Sequence, residues 1–294
     1  EEEYITMGMA AYGKPTLAHH MKTFLLKRNN HKGIGYYCDF AKDYDLAASV
    51  QKVYEDELNR IVKKYCKKIN LVLSGGCALN CVANSNLKRN IWIMPNPGDS
   101  GSSLGCIPAV TKQKLNWKGP FLGYNIRGEY PVDSIIKELE TNKMVGVANG
   151  RAEFGPRALG NRSLLADPRG PEVKDMVNEI KKRQKFRPFA PAILLEDVHD
   201  YFDMPQPTSP YMQFVGKCKY PKEFPAIIHA DGTSRVQTVT KEDNEGFYNL
   251  LKTWKDKTGC PMLLNTSLNI KGMPMVNDRW DARKFEEKYN VKVV

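Results

Sequence analysis

The segment of residues 150–163 carries three arginines among three glycines and a proline. Glycine and proline keep such a run from forming one regular helix, and glycine lets the backbone approach a ligand closely. Guanidinium groups bind phosphate and carboxylate through paired hydrogen bonds. The segment therefore indicates an anion pocket, with an exposed charged turn as the alternative that its composition leaves open.

Two later segments could contribute to the same pocket. A second basic cluster consists of Lys181, Lys182, Arg183, Lys185 and Arg187. A polar segment near the end of the chain reads Asn265-Thr266-Ser267-Leu268-Asn269. Convergence of the three segments would build a site for a phosphate-like ligand, although each segment alone is also compatible with an exposed charged or turn region.

Composition limits the class of protein. For 294 residues, about two domains are expected. A net charge of +11 favours anionic partners without distinguishing nucleic acid, nucleotide and phosphorylated metabolite. The cysteines show no paired CxxC spacing, which predicts reduced thiols in a cytoplasmic protein. No apolar run approaches the roughly 18 residues of a membrane span, so no membrane partner is expected.

The first third of the chain predicts a βαβ unit. A helix with an apolar face over 45–68 is followed by a strand over 70–73, a turn at Gly75 and Gly76, a helix over 77–88 and a strand over 91–94. Such a glycine turn lets a nucleotide approach the following helix. In the next loop Asp99 could be a metal ligand, a general base or a helix cap, and the local sequence favours the cap.

A polar segment over 112–120 indicates a linker and hence a domain boundary. The remainder is predicted to be mixed α/β. Its predicted helices span 132–139, 172–182, 196–202, 245–257 and 278–289, and its predicted strands span 144–148, 189–195, 211–215, 235–239 and 262–264. Pro191 is expected to place its strand at a sheet edge or in a bulge, because proline cannot donate to a ladder.

Six short motifs resemble those of a known family. They are MGMAAYGKP at residues 7–15, LSGGCALN at 73–80, GDSG at 98–101, GPRALGNRS at 155–163, RPFAP at 187–191 and LNTSLN at 264–269. In this order, and over nearly the whole chain, they are similar to the motifs of the O-carbamoyltransferases of nodulation-factor and antibiotic biosynthesis.

The resemblance implies an α/β chain of two parts. Residues 1–115 would be the C-terminal half of an actin/Hsp70-like ATPase domain, and residues 116–294 a YrdC-like α/β domain. The implied enzyme forms carbamoyl-adenylate from carbamoyl phosphate and ATP. It then transfers the carbamoyl group to a hydroxyl of a small acceptor, such as a sugar, an antibiotic or a nodulation-factor-like molecule. The implied cofactors are ATP, with magnesium, and a further divalent metal such as iron.

The resemblance also assigns individual residues. The implied catalytic residues are Arg157, Lys181 and Arg187. The implied substrate-binding residues are Arg157, Lys181, Arg187, Arg235, Ser267 and Asn269. The implied nucleotide contacts are Gly75, Gly76 and Asn80. Asp99 becomes an implied metal ligand, which reverses the cap interpretation. The residue types suit a small, doubly charged substrate, which needs several fixed cations.

The family's metal site also takes two histidines and an aspartate from an N-terminal half that has no equivalent in this sequence. Most metal ligands are therefore expected outside this chain, which would be a fragment of a longer gene product or a truncation that depends on a partner. Two other functions remain open. One is a relative that modifies tRNA or hydroxylated DNA bases, suggested by the net charge of +11 but not favoured. The other is a nucleotide-binding partner without full activity.

Overall fold

The computed structural model describes residues 3–27 and 41–294 as a mixed α/β protein, which confirms the predicted class. Its helices are α1 (Glu3–Met9), α2 (Ala18–Lys27), α3 (Asp43–Tyr65), α4 (Cys81–Ser85), α5 (Ser102–Thr111), α6 (Val132–Asn142), α7 (Val173–Lys181), α8 (Val198–Tyr201), α9 (Glu245–Thr258) and α10 (Arg279–Tyr289). Its strands are β1 (Asn70–Leu73), β2 (Asn90–Ile93), β3 (Phe121–Ile126), β4 (Met144–Ala148), β5 (Gly150–Glu153), β6 (Arg162–Ala166), β7 (Ala190–Leu194), β8 (Phe202–Asp203), β9 (Phe214–Cys218), β10 (Thr233–Val239) and β11 (Met262–Ser267).

A seven-stranded mixed sheet organises the C-terminal part, in the order β4-β6-β11-β7-β10-β9-β8. Strands β7 and β10 pair parallel, and the other neighbours pair antiparallel. Helices α6, α9 and α10 pack against this sheet. Because β4 and β7 are buried along their whole length, they appear in the sequence as continuous runs of apolar and small residues rather than as alternating patterns. Strand β6 is also buried throughout, although it begins with Arg162.

The position of β7 corrects one prediction. Pro191 was expected at a sheet edge or a bulge, yet β7 lies between β11 and β10, near the centre of the sheet. The ladder between β7 and β10 begins at Ala192, and Pro191 is registered only with Leu264 of β11. The missing amide donor of proline therefore leaves no gap in the β10 ladder, so β7 can occupy an interior position.

Helix α9 shows how local sequence signals place a core element. Asn244 caps its start by accepting from the Phe247 amide, and Gly259 ends it in the left-handed conformation. One face of the helix is buried, and its residues are Phe247, Leu250, Leu251 and Trp254. The predicted helix over 245–257 is thereby confirmed.

The N-terminal part contains the predicted βαβ order with a shorter helix. Strands β1 and β2 pair parallel, with Leu71 opposite Ile91. Residues 76–79 form one 3-10 turn, and α4 spans only five residues. Asn80 separates these two elements, because its backbone is non-helical (φ −78°, ψ 84°) and its side chain caps α4 by accepting from the Ala83 amide.

The two parts pack directly against each other. The Asn84 side chain donates to the Gln213 carbonyl (3.2 Å), and Ser85 Oγ accepts from the Val215 amide (2.9 Å), so α4 is fixed to the start of β9. Gly155 approaches the loop before α5 so closely that a Cβ there would lie 2.5 Å from the Pro95 carbonyl oxygen. The arginine segment of residues 150–163 therefore lies against the N-terminal part.

Residues 112–119 form neither helix nor strand, as expected of a linker. The domain boundary at residues 115 and 116 and the actin/Hsp70-like and YrdC-like assignments remain predictions. Within the described ranges, none of the helices combines the length and the apolar character that crossing a membrane requires.

Candidate anion-binding site

Five basic side chains gather at the junction of the two parts. We call this group the cation cluster, and its members are Arg157, Lys181, Arg183, Arg187 and Arg235. The first lies in the β5–β6 loop, the next three at the end of α7 and in the turn before β7, and the last on β10. Electrostatic repulsion links every member to at least one other.

Burial and repulsion both disfavour the charged forms of these groups. Burial, with repulsion from Arg235 and Arg187, lowers the pKa of Arg157 to about 9. Burial, then repulsion from Arg183 and Arg187, lowers the pKa of Lys181 to about 7. Burial also lowers the pKa of Arg235. The cation cluster therefore holds positive charge in surroundings that solvate it poorly.

Carboxylates do not neutralise this charge. Among the described residues, no member of the cation cluster forms an ion pair with Asp or Glu. Arg235 Nε is buried and has no hydrogen-bond partner in the described part of the chain. Buried charge without a partner is costly, and an anion that enters the cation cluster removes part of that cost. The arrangement is suited to binding an anion.

The polar segment near the end of the chain reaches the cation cluster through Lys181. Lys181 Nζ donates to the Ser267 carbonyl (2.7 Å) and to Ser267 Oγ (3.1 Å), and it also contacts Asn269 Oδ1. Ser267 Oγ donates to Asn269 Oδ1 at 2.8 Å. The structure therefore brings Lys181 into contact with Ser267 and Asn269, which lie 86 and 88 residues further along the chain.

Only one arginine of the 150–163 segment belongs to the cation cluster, namely Arg157, the one that the resemblance assigned. Arg151 is exposed and donates to the Gly123 carbonyl (3.2 Å). Arg162 is fully buried and holds backbone carbonyls, those of Tyr124, Asn149, Gly150, Asn161 and Asn277. Arg162 is therefore a structural residue, because both of its terminal nitrogens, Nη1 and Nη2, donate to backbone carbonyls.

The basic residues between 181 and 187 also fall into two groups, those exposed to solvent and those that belong to the cation cluster. Lys182 is exposed and ends α7 in the left-handed conformation, and Lys185 is exposed and pairs with Asp175 (3.8 Å). Arg183, which received no role from the sequence, turns inward, donates to Asn178 Oδ1 (3.1 Å) and stacks on the Phe189 ring. The run of basic residues was a signal for this site, but it did not distinguish the inward side chains from the outward ones.

Glu153 is a second residue that sequence reasoning missed. It is 7% exposed, and its Oε1 accepts from three backbone amides, those of Leu159 (2.8 Å), Asn161 (2.9 Å) and Arg162 (3.2 Å). These bonds fix the loop that carries Arg157. The available signal was one carboxylate within a basic segment rich in glycine.

The N-terminal part contributes two side chains next to the cation cluster. Burial raises the pKa of the Cys81 thiol, although Arg235 and Arg157 beside it act in the opposite direction. Tyr4 of α1 stacks on Arg187, with 4.6 Å from the guanidinium carbon to the ring centre. Nothing in the sequence singled out either residue, because both contacts join distant segments.

A pocket of about 460 Å³ opens beside the Lys181 end of the cation cluster. Its lining includes Glu153, Gly155, Pro156, Ser267, Asn269 and Met275. Polar and apolar side chains together suit a ligand that carries both a charged group and an uncharged body.

The residues expected to contact nucleotide lie in the turn before α4 and at the N-cap of α4. Gly75 has a positive φ of 93°, and a Cβ on Gly75 or Gly76 would meet nothing within 4 Å, so the turn borders open space. Asn80 is engaged elsewhere, because it caps α4 and exchanges two hydrogen bonds with Gln51 (3.1 Å and 2.9 Å). The role of the two glycines stays a prediction, and Asn80 would have to give up these bonds to bind nucleotide.

Asp99 is exposed at the start of a 3-10 turn that precedes α5. In the part of the chain that the structure describes, no three His, Cys, Asp or Glu side chains come together as a metal site. The donors at hand do not fit a metal, since iron or zinc takes about three or four protein ligands. Asp99 as a ligand that is completed from outside this chain remains a prediction.

Comparison with known proteins supports the motif-based resemblance. Nodulation protein NolO of Bradyrhizobium diazoefficiens is 32% identical over 96% of this chain and 62% of its own length. Nodulation protein U of Sinorhizobium fredii is 38% identical over 69% of this chain and 40% of its own length. The crystal structure of full-length HypF in the phosphate- and nucleotide-bound form covers 57% of this chain at 18% identity, with a TM-score of 0.40, which is too low to bear on function.

The chain spans about half the length of the curated relatives it matches. Two family models match it, the carbamoyltransferase N-terminus over residues 25–107 and the carbamoyltransferase C-terminus over residues 136–294. The second alone covers more than half of the chain and includes every member of the cation cluster. The chain therefore belongs to the carbamoyltransferase family.

Proposed function

We propose that the chain carries the carbamoyl phosphate site of an ATP-dependent O-carbamoyltransferase. The cation cluster binds the phosphate group of carbamoyl phosphate. Carbamoyl phosphate, ATP and water then give carbamoyl-adenylate, inorganic phosphate and pyrophosphate. The hydroxyl of a small acceptor takes the carbamoyl group from carbamoyl-adenylate, and AMP is released. Family membership supports the reaction class, and the chemistry of the site supports the substrate.

The cation cluster is the observation that carries the proposal. Carbamoyl phosphate is small and doubly charged, and arginine and lysine side chains are donors that match phosphate oxygens. Fixed cations also stabilise the negative charge that develops while a phosphoryl group is transferred. The half-buried position of these side chains supports a small anion rather than a nucleic-acid backbone, which is bound by exposed basic surface.

The remaining residues have supporting roles in this proposal. Lys181 holds Ser267 and Asn269 in place and adds a charge next to the pocket. Gly75 and Gly76 border open space on the other part of the chain, where the nucleotide can approach the backbone. No step is assigned to a metal, because the described side chains form no metal site.

Binding measurements test the substrate. Isothermal titration calorimetry with carbamoyl phosphate should show saturable binding to this chain. Arg157→Ala should weaken it by about tenfold or more, since a charge-assisted hydrogen bond contributes roughly 1.5 to 3 kcal/mol. Arg151→Ala is the matched control, because Arg151 comes from the same segment and is exposed. Equal affinities for the wild type and Arg157→Ala would refute the assignment.

Isotope exchange tests the reaction. Labelled pyrophosphate should enter ATP only when carbamoyl phosphate is present, because formation of an adenylate releases pyrophosphate reversibly. Arg187→Ala and Arg235→Ala should reduce the exchange, and Arg151→Ala should not. A folded chain that binds nucleotide but neither binds nor cleaves carbamoyl phosphate would favour the nucleotide-binding partner instead.

A further inference from the structure

Glu153 has one carboxylate oxygen that the fold does not use. Its Oε1 accepts all three of the backbone hydrogen bonds that fix the Arg157 loop. Its Oε2 is buried and has no partner among the described residues. Since the whole residue is only 7% exposed, this oxygen is a strong acceptor held in a nearly dry place.

Glu153 is one of the residues that line the 460 Å³ pocket, together with Ser267 and Asn269. Those two side chains are the hydrogen-bond partners of Lys181, a member of the cation cluster. The lining therefore includes a residue with an unpaired acceptor, Glu153, and the two hydrogen-bond partners of Lys181. A ligand that pairs with the Glu153 acceptor and also with the cation cluster must carry a hydrogen-bond donor and an anionic group.

Carbamoyl phosphate has this combination of groups, and a close analogue does not. Its carbamoyl NH₂ is a donor, whereas acetyl phosphate has a methyl group of similar size in the same place and the same phosphate. Cations that bind only the phosphate cannot distinguish the two molecules. An acceptor can, because a buried acceptor next to a methyl group loses its solvation without gaining a hydrogen bond.

We propose that Glu153 is a specificity-determining residue whose Oε2 accepts a hydrogen bond from the carbamoyl NH₂ and so selects carbamoyl phosphate over acetyl phosphate. The inference rests on the proposed function, because it assumes that carbamoyl phosphate is the ligand of the cation cluster. Glu153 then has two roles. Its Oε1 fixes the loop that carries Arg157, and its Oε2 binds the carbamoyl NH₂ group.

The variant Glu153→Gln separates these two tasks. Three backbone amides surround Oε1, so the glutamine oxygen must occupy that place and its NH₂ group must occupy the place of Oε2. The loop keeps its three hydrogen bonds, while the unpaired acceptor Oε2 is replaced by a donor. Glu179→Gln is the matched control, because it makes the same chemical change at an exposed position on α7.

Calorimetric titrations with freshly dissolved carbamoyl phosphate and with acetyl phosphate give the readout. Wild-type protein and Glu179→Gln should prefer carbamoyl phosphate. Glu153→Gln should lose about tenfold or more in affinity for carbamoyl phosphate and stay within about twofold for acetyl phosphate, because only the first ligand makes the lost hydrogen bond. A melting temperature of Glu153→Gln close to that of the wild type would show that the loop is intact.

Acidification provides a second readout in the wild type. Burial raises the pKa of Glu153, and hydrogen bonds from backbone amides act in the opposite direction. As the pH falls through that raised pKa, Oε2 gains a proton and no longer accepts. The preference for carbamoyl phosphate over acetyl phosphate should shrink on acidification in the wild type and be flat in Glu153→Gln.

Three results would overturn the inference. The first is an unchanged preference in a folded Glu153→Gln, which would leave the proposed function standing. The second is a loss of ATP affinity in Glu153→Gln with carbamoyl phosphate unaffected, which would assign Oε2 to the adenine amino group. The third is a wild type that binds neither acyl phosphate, which would refute the proposed function as well.

Discussion

The two parts of the chain differ in how they bury apolar side chains. The C-terminal part has one extended core around the seven-stranded sheet. The N-terminal part has small clusters, one around Met21 and Val53 and another in which Ala78 and Ile93 are joined by Phe214 of β9. One of the two N-terminal clusters is thus completed by the other part. The C-terminal core is therefore built from its own side chains, whereas the described N-terminal part shares one of its clusters with β9.

The largest expected effect measures this difference directly. Phe247→Ala removes a fully buried ring from α9 and should lower the free energy of unfolding by about 3 to 5 kcal/mol. Val72→Ala on β1, where the side chain is 67% exposed, should change it by less than about 0.5 kcal/mol. Urea unfolding followed by circular dichroism gives both values. Similar losses in the two variants would contradict the comparison.

The cation cluster lies at the junction of the two parts. Its buried charges should lower the stability of the ligand-free protein and strengthen the binding of anions. Arg235→Met removes a buried charge and should stabilise the ligand-free protein by roughly 1 kcal/mol. The same change should weaken phosphate binding by about tenfold, because a charge-assisted hydrogen bond is lost. Thermal unfolding with and without phosphate measures both effects. A variant that is destabilised without ligand would show that Arg235 has a structural partner.

The pH dependence of Lys181 is a further test of the junction. Its pKa is lowered to about 7 in the folded protein from the ordinary lysine value, so the unfolded chain binds more protons above pH 7. Stability without ligand should therefore rise as the pH increases from 7 towards 10, and affinity for sulfate should fall over the same range. Lys181→Met should flatten both profiles near pH 7 to 8. Above that range Arg157, whose pKa is lowered to about 9, keeps part of each slope. Sulfate is the suitable probe, because its own charge is constant there.

The smallest expected effect concerns the contact between α4 and β9. Asn84 is 1% exposed and donates to two carbonyls, those of Ala78 (2.8 Å) and Gln213 (3.2 Å). Asn84→Ala should destabilise this contact by about 1 kcal/mol. Hydrogen exchange should increase in residues 70–111 and stay unchanged in β6, β7 and β11. Uniform acceleration throughout the chain would show that the two parts unfold together.

Much of the fold was predictable from local patterns. Helix α9 carries a cap, an apolar face and a terminal glycine within one short segment, so its limits could be deduced closely. The interior position of β7 could not be deduced, because Pro191 is tolerated only through the register with its two neighbours. The interruption at Asn80 was missed because asparagine suits both a helix and a cap, and the contact with Gln51 decides between them.

The site was predictable in its residue types more than in its geometry. The motifs pointed to Arg157, Lys181 and Ser267, and the structure brings the lysine and the serine into contact. Composition could not show that Arg162 donates to backbone carbonyls, because this role follows from its complete burial in the folded chain. Glu153 was missed for the same reason: its importance comes from three amides that approach it only after the loop has closed.

The pair of strands β1 and β2 has a consequence for handling the protein. Each strand is paired only with the other in the described residues. On β2 the Ile91 amide donates to Gln206 Oε1 and the Ile93 carbonyl accepts from Gln213 Nε2, so the outer edge of β1 is the more open one. Val72 and Trp92 are in register on these strands and are 67% and 54% exposed. Exposed edges with apolar side chains recruit further strands. We therefore expect concentration-dependent self-association of this chain, which a lysine at position 72 should suppress without disturbing the cation cluster.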